Sequence, residues 1–250
     1  MGVVALTDEQ AWTLTASGLV ALADGVLKGG EAGRVLGMVQ EALGPEEQDQ
    51  WIDLLADPAA LWEHARGLPR PPAASVEGLL RRAWSIALVD GEGSVDEARV
   101  LEQVGELLGV DRDVLVVWRK TWTVQASELA QYIAAFAALL LRRRAAAAPE
   151  PMQPLGEPAR AEFRALLARL PLSEARRAKA LRLIDEPPTL DELGGTLLWL
   201  EPVRRGEALR ELAHFVIAGA HGHEGKQLFL ALAARMAVPE DVARAHLGDG

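Results

Sequence analysis

The chain has 250 residues, enough at roughly 150 per domain for one or two domains with a sizeable core. It has no cysteine, which excludes disulfides, thiolate nucleophiles and cysteine-ligated metals. Its 26 basic and 36 acidic side chains leave a net charge of −10, which argues against nucleic acid as a partner, because phosphate contacts dominate that affinity.

Taken in order, the chain reads as helices separated by capping signals. The start, MGVVALTDEQ, has no basic segment leading into an apolar run, and no Ser or Thr where myristoylation prefers one. The expected location is therefore the cytoplasm. Thr7-x-x-Gln10 forms a capping box for a first helix, whose buried stripe is Trp12, Ala16, Leu19 and Ala23. Pro45 with Glu46 and Glu47 opens a second start, and Asp57-Pro58 a third. Asp111 caps a helix holding Val114, Leu115 and Trp118. The longest apolar run, Tyr132–Leu141, ends in Arg142, Arg143 and Arg144. It is about half the length that spans a bilayer, so it reads as a buried helix with a basic last turn and not as a membrane insertion. Thr189-x-x-Glu192 is another capping box, and Val238-Pro239-Glu240-Asp241 opens the last helix. No segment alternates with period two, so the fold class is all-α.

Two breaks interrupt the pattern. Leu68-Pro69-Arg70-Pro71-Pro72 has the length of a loop within a domain. The stretch from Ala145 to Pro158 carries four alanines followed by four prolines, and reads as a semi-rigid linker. The expected organisation is a module over 1–145, a linker over 146–158 and a shorter module over 159–250.

Three places share a turn. Val20-Ala-Leu-Ala-Asp24-Gly25 precedes Glu31, Ile86-Ala-Leu-Val-Asp90-Gly91 precedes Glu97, and Ile217-Ala-Gly-Ala-His221-Gly222 precedes Glu224. In the first two the acid and the following Glu are seven residues apart. A longer similarity overlies the turns: Leu43 through Glu63 matches Leu170 through Glu192, with Pro58 on Pro187 and Leu61 on Leu190. Such self-similarity marks an internal repeat. The second copy lacks the first Asp-Gly helix and has His221 where Asp90 stands.

Ile86-Ala-Leu-Val-Asp90-Gly91-x-x-Ser94-Val95-x-Glu97, followed by a helix ending Leu107-Leu108-Gly109-Val110, resembles the TerB-like family. That family includes tellurite-resistance TerB proteins and the N-terminal domain of DjlA-type co-chaperones. The resemblance covers about residues 8 to 145 well and 159 to 250 poorly. It implies a compact helical bundle in bacterial stress response, with no established catalytic chemistry.

The Asp-Gly turns have two readings. In one, Gly91 supplies a left-handed helix end, and Ser94 with Glu97 forms a capping box. In the other, Asp24, Glu31, Asp90, Glu92, Asp96 and Glu97 are oxygen ligands for a divalent cation. An EF-hand is excluded, because the first and third loop positions would be Ile86 and Leu88 in one turn and Val20 and Leu22 in the other. His221 and His223, with His214 nearby, are candidate zinc ligands, against the plainer reading of solvated histidines near a helix end. Seven tryptophans are mostly expected in the core, and an exposed one would mark a docking surface. The basic runs at Arg176, Arg177, Lys179 and Arg182, and at Arg204, Arg205 and Arg210, read as solvated faces.

No nucleophile motif, phosphate-binding glycine loop or dinucleotide fingerprint occurs. The expected function is a non-enzymatic protein-interaction or scaffold module of a stress or envelope-associated complex. The alternatives are a metal-responsive module and, third, a hydrolase with a site between modules.

Overall fold

The computed structural model describes residues 6–25, 29–89, 91, 93–147, 155–219 and 221–248. Among these residues it contains thirteen α-helices and no strand, as the absence of period-two segments implies. The chain forms two compact units. One is residues 1–126 with 169–171, and the other is residues 127–168 with 172–250.

The first unit is built around α1 (Asp8–Ala21), which contacts α2 (Gly29–Ala42), α4 (Pro58–Gly67), α5 (Ala73–Ala87) and α6 (Val95–Leu107). Every residue of α1 from Trp12 to Ala21 is buried, so the stripe expected from the sequence is only part of what is covered. A helix apolar on all sides belongs inside a core. Two of its buried polar members bond locally: Thr13 and Thr15 donate their hydroxyls to the Glu9 and Ala11 carbonyls, each at 2.7 Å. Trp12 donates its indole N–H to the Pro69 carbonyl at 2.7 Å, which ties the proline-rich loop to the central helix.

The helix starts follow the capping chemistry. Thr7 and Gln10 cap α1 reciprocally, and Thr189 and Glu192 cap α10 (Leu190–Leu198) in the same way. Asp57 accepts the Ala59 and Ala60 amides at 2.9 and 3.2 Å to open α4. Gly44 precedes Pro45 at the start of α3 (Pro45–Leu55), and its amide donates to Glu47 at 3.2 Å. Asp111 accepts the Asp113 and Val114 amides at 2.8 and 3.3 Å.

That last cap opens α7 (Arg112–Ala147), a helix of 36 residues. Its length changes the domain plan. The units divide at 126/127, inside this helix, whereas the sequence places the boundary in the 146–158 linker. Two causes are visible. Alanine is the best helix former, so Ala145, Ala146 and Ala147 extend the helix instead of ending it. Downstream of Ala126 the buried side chains change partners: Ala135, Phe136 and Leu140 join Leu209, Leu212 and Phe229 in the second core. The second unit therefore does have a first helix. It is the latter half of α7, whose sequence runs on into alanines and not into an Asp-Gly pair. A window of α7 is apolar and long enough to cross a membrane by composition, with mean hydropathy 1.4, and half of it is buried within the protein. The shorter Tyr132–Leu141 run understates it.

The rest of the second unit comprises α8 (Glu157–Ala168), α9 (Glu174–Leu181), a 3-10 turn (Arg182–Ile184), α10, α11 (Pro202–Ala218), α12 (Gly222–Arg235) and α13 (Glu240–His246). Its basic runs are partly structural. Arg177 donates to the Leu167 and Leu172 carbonyls at 3.1 and 3.2 Å, and Arg205 to those of Leu198 and Leu200 at 2.7 and 3.1 Å. These guanidinium groups close helix ends that would otherwise leave carbonyls unpaired. Arg160 pairs with the Asp185 carboxylate, and its hydrogen bond holds Asp185 below the usual carboxylate range.

Candidate functional site: the turns that follow α1, α5 and α11

The turn after α5 is the most built of the three. Leu88 closes the helix, and the Val89 amide donates to the Ile86 carbonyl at 3.0 Å. Gly91, at φ 158°, is not in the left-handed helical basin; the residue there is Gly93, at φ 80°. Gly93 also abuts the Trp84 ring, where a β-carbon would fall 2.7 Å from Cζ2. Trp84 is buried, donates Nε1–H to the Thr123 hydroxyl at 2.9 Å, and has the Arg119 guanidinium 5.4 Å from its ring centroid. The turn is thus seated on an indole held from α7. Spacing within residues 90–97 carries no trace of that support.

Ser94 and Glu97 form the expected capping box. The Glu97 amide donates to Ser94 Oγ at 3.1 Å, and the Ser94 amide donates to Glu97 Oε2. Glu97 is only 9% exposed, and its other carboxylate oxygen, Oε1, is buried with no hydrogen-bond partner. A cap uses one oxygen, so the box accounts for half of this carboxylate. Asp96 is exposed and pairs with Arg99 at 3.0 Å. Asp90 and Glu92 lie outside the described residues.

The turn after α1 is simpler. Gly25, at φ 87°, donates its amide to the Leu22 carbonyl at 2.8 Å. Asp24 is exposed, and Glu31 is half-buried in the first turn of α2. Among the described residues no three Asp, Glu or His side chains converge as a metal would need.

The turn after α11 has a different chemistry. Gly219 caps α11, and Gly222, at φ 62°, begins α12. His221 and His223 do not act together. His221 turns inward, with Nδ1 3.1 Å from an Arg144 nitrogen and its ring 4.6 Å from that of Phe215. His223 is exposed and bonds Gln227 at 2.7 Å, and His214 is exposed on α11. The Arg144 contact spans 77 residues and could not be read from sequence.

Of the tryptophans, Trp12, Trp51, Trp84 and Trp122 are core, and Trp62 and Trp118 pack partly against it. Trp199, in the corner between α10 and α11, is 91% exposed, beside Val203 at 76%. Its position after the last residue of α10 leaves the ring no core to enter.

The fold and its turns define a class: a helical domain wrapped on one central helix, with Asp-Gly turns after the first and fifth helices. The family described as Tellurite resistance protein TerB matches residues 10–119, and the chain carries a TerB domain of that family over those residues. The remaining helices are an additional region. No curated protein and no solved structure matches the chain.

Proposed function

We propose that the chain is a non-enzymatic interaction module of a bacterial, tellurite-resistance-type stress system, acting in the cytoplasm on a protein partner. The observation that carries this reading is Trp199, with Val203 beside it. An indole held in water at a rigid helix corner is the side chain most often found at the energetic centre of an interface. The test is affinity capture of the full chain from its host under tellurite challenge, comparing wild type with Trp199→Ala/Val203→Asp. A partner retained by the wild type and lost by the variant is expected. Equal capture by a variant with an unchanged melting curve would overturn the reading.

The additional region reads as a second, degenerate TerB-like copy. The ends of α6 and α12 support this. The Val110 amide reaches the Gly105 carbonyl at 2.9 Å, and the Val238 amide reaches that of Ala233 at 3.0 Å. Each closure passes through a left-handed residue, Gly109 or Ala237. An experimental structure in which α9 to α13 failed to superpose on α3 to the start of α7 would sink the idea.

A second reading is favoured by one atom, the unpartnered Oε1 of buried Glu97. It supports a divalent-cation role for the acidic turns, with Asp90, Glu92 and Asp96 as neighbours in sequence. Hard cations take such oxygens. Calorimetric titration of demetallated protein with Ca²⁺, Mg²⁺ and Mn²⁺ should give micromolar heat that Asp90→Asn and Glu97→Gln abolish. No heat with any of the three ions would leave the turns as caps.

A further inference from the structure

Arg144 and His221 form a contact that can exist in one protonation state only. A guanidinium is always a donor, so the Arg144 nitrogen 3.1 Å from His221 Nδ1 requires that atom to accept. The ring is then the neutral Nε2–H tautomer. The same Arg144 nitrogen also donates to the His221 carbonyl at 3.2 Å, so one side chain holds both the ring and the backbone of the turn.

The ring has little freedom to respond by moving. A β-carbon on Gly219 would collide with Nε2, and one on Gly225 would fall 2.7 Å from His221 Cβ. Phe215 covers a face at 4.6 Å between centroids. Nε2 already carries the one proton of the neutral ring and is buried without a partner. A second proton must go to Nδ1, against the guanidinium.

Arg144 comes from α7, Glu162 from α8 and Glu224 from α12, while α11 contributes the uncharged Phe215. The carboxylates of Glu162 and Glu224 stand 3.8 and 3.7 Å from Arg144. They offer the guanidinium another resting place once Nδ1 stops accepting.

We propose that the Arg144–His221 contact is an acid-released latch on the turn between α11 and α12. It is closed while the imidazole is neutral, and it opens when protonation of Nδ1 drives Arg144 onto Glu162 and Glu224. Burial first, and the Arg144 charge second, hold the His221 pKa below its ordinary 6.5, with Glu162 opposing them. The sign follows from the linkage. Well above pH 6.5 both folded and unfolded imidazoles are neutral, and the latch contributes fully. As the pH falls below that, the unfolded chain takes the proton first. The contribution is lost through the folded pKa.

The test uses the full chain and two measurements. Long-range proton–nitrogen NMR of the five imidazoles should show His221 as the Nε2–H tautomer, titrating below the ordinary 6.5 of an imidazole. Melting curves from pH 7.5 to 5.0 should show a fall of about 2–4 °C in wild type that His221→Gln lacks. Gln keeps an acceptor for Arg144 and does not titrate. His64→Gln is the control, because burial also lowers the pKa of His64 in the other unit. His221 titrating at or above 6.5 would overturn the latch, as would an undiminished pH dependence in folded His221→Gln. Should that variant not fold, the wild-type titration decides alone.

Discussion

Truncating Trp84 to alanine should lower the unfolding free energy by about 3–5 kcal/mol, measured from urea midpoints at constant slope. That is a large share of the 5–15 kcal/mol typical of a folded domain. Three losses combine. The first is a buried indole volume among Leu79, Leu80 and Leu101 in the first core. The second is the hydrogen bond to Thr123, worth about 1 kcal/mol. The third is the seat of the 91–94 turn, where Gly93 rests on the ring. Trp84→Phe separates them, since it keeps most of the ring and removes the N–H. It should cost much less than alanine. Equal losses from the two substitutions would mean that the hydrogen bond, not the ring, supports the turn.

Phe136→Ala should cost a similar amount, about 3–5 kcal/mol, in the second core. Phe136 is fully buried and meets Phe215 edge-on at 6.2 Å between centroids. Alanine is at least as good a helix former as phenylalanine, so α7 itself is not weakened by the change. The whole loss is therefore packing. A small effect, under about 1 kcal/mol, would mean that the latter half of α7 is not part of this core. It would also return the domain boundary to the proline-rich segment.

The elements legible in the sequence are those fixed by local chemistry. Thr7, Asp57, Asp111 and Thr189 cap where they should, because an N-cap is decided by three or four consecutive residues. The Ser94–Glu97 box is visible for the same reason. What stayed hidden depends on distant partners. Gly91 looked like the left-handed residue of its turn, yet Gly93 takes that place, because Trp84 presents its ring there. The three arginines after Leu141 read as the basic last turn of a buried helix. In the structure Arg142 donates to the Ile184 carbonyl at 3.3 Å, while Arg144 holds His221. The exposure of Trp199 was equally silent, since it depends on where the neighbouring helices lie.

Ala237 ends α12 in a left-handed conformation, at φ 55°, where the corresponding turn after α6 uses Gly109 at 79°. A β-carbon there is disfavoured by about 1–2 kcal/mol. The carbonyl of Ala233 is nevertheless captured as that of Gly105 is. The turn after α12 thus takes this shape without the residue that makes it easy. A helix terminus can drift in composition while the neighbours that enforce its geometry, here Met236 and Val238 against the second core, stay in place. A thermostable version of the protein would begin with glycine at this position.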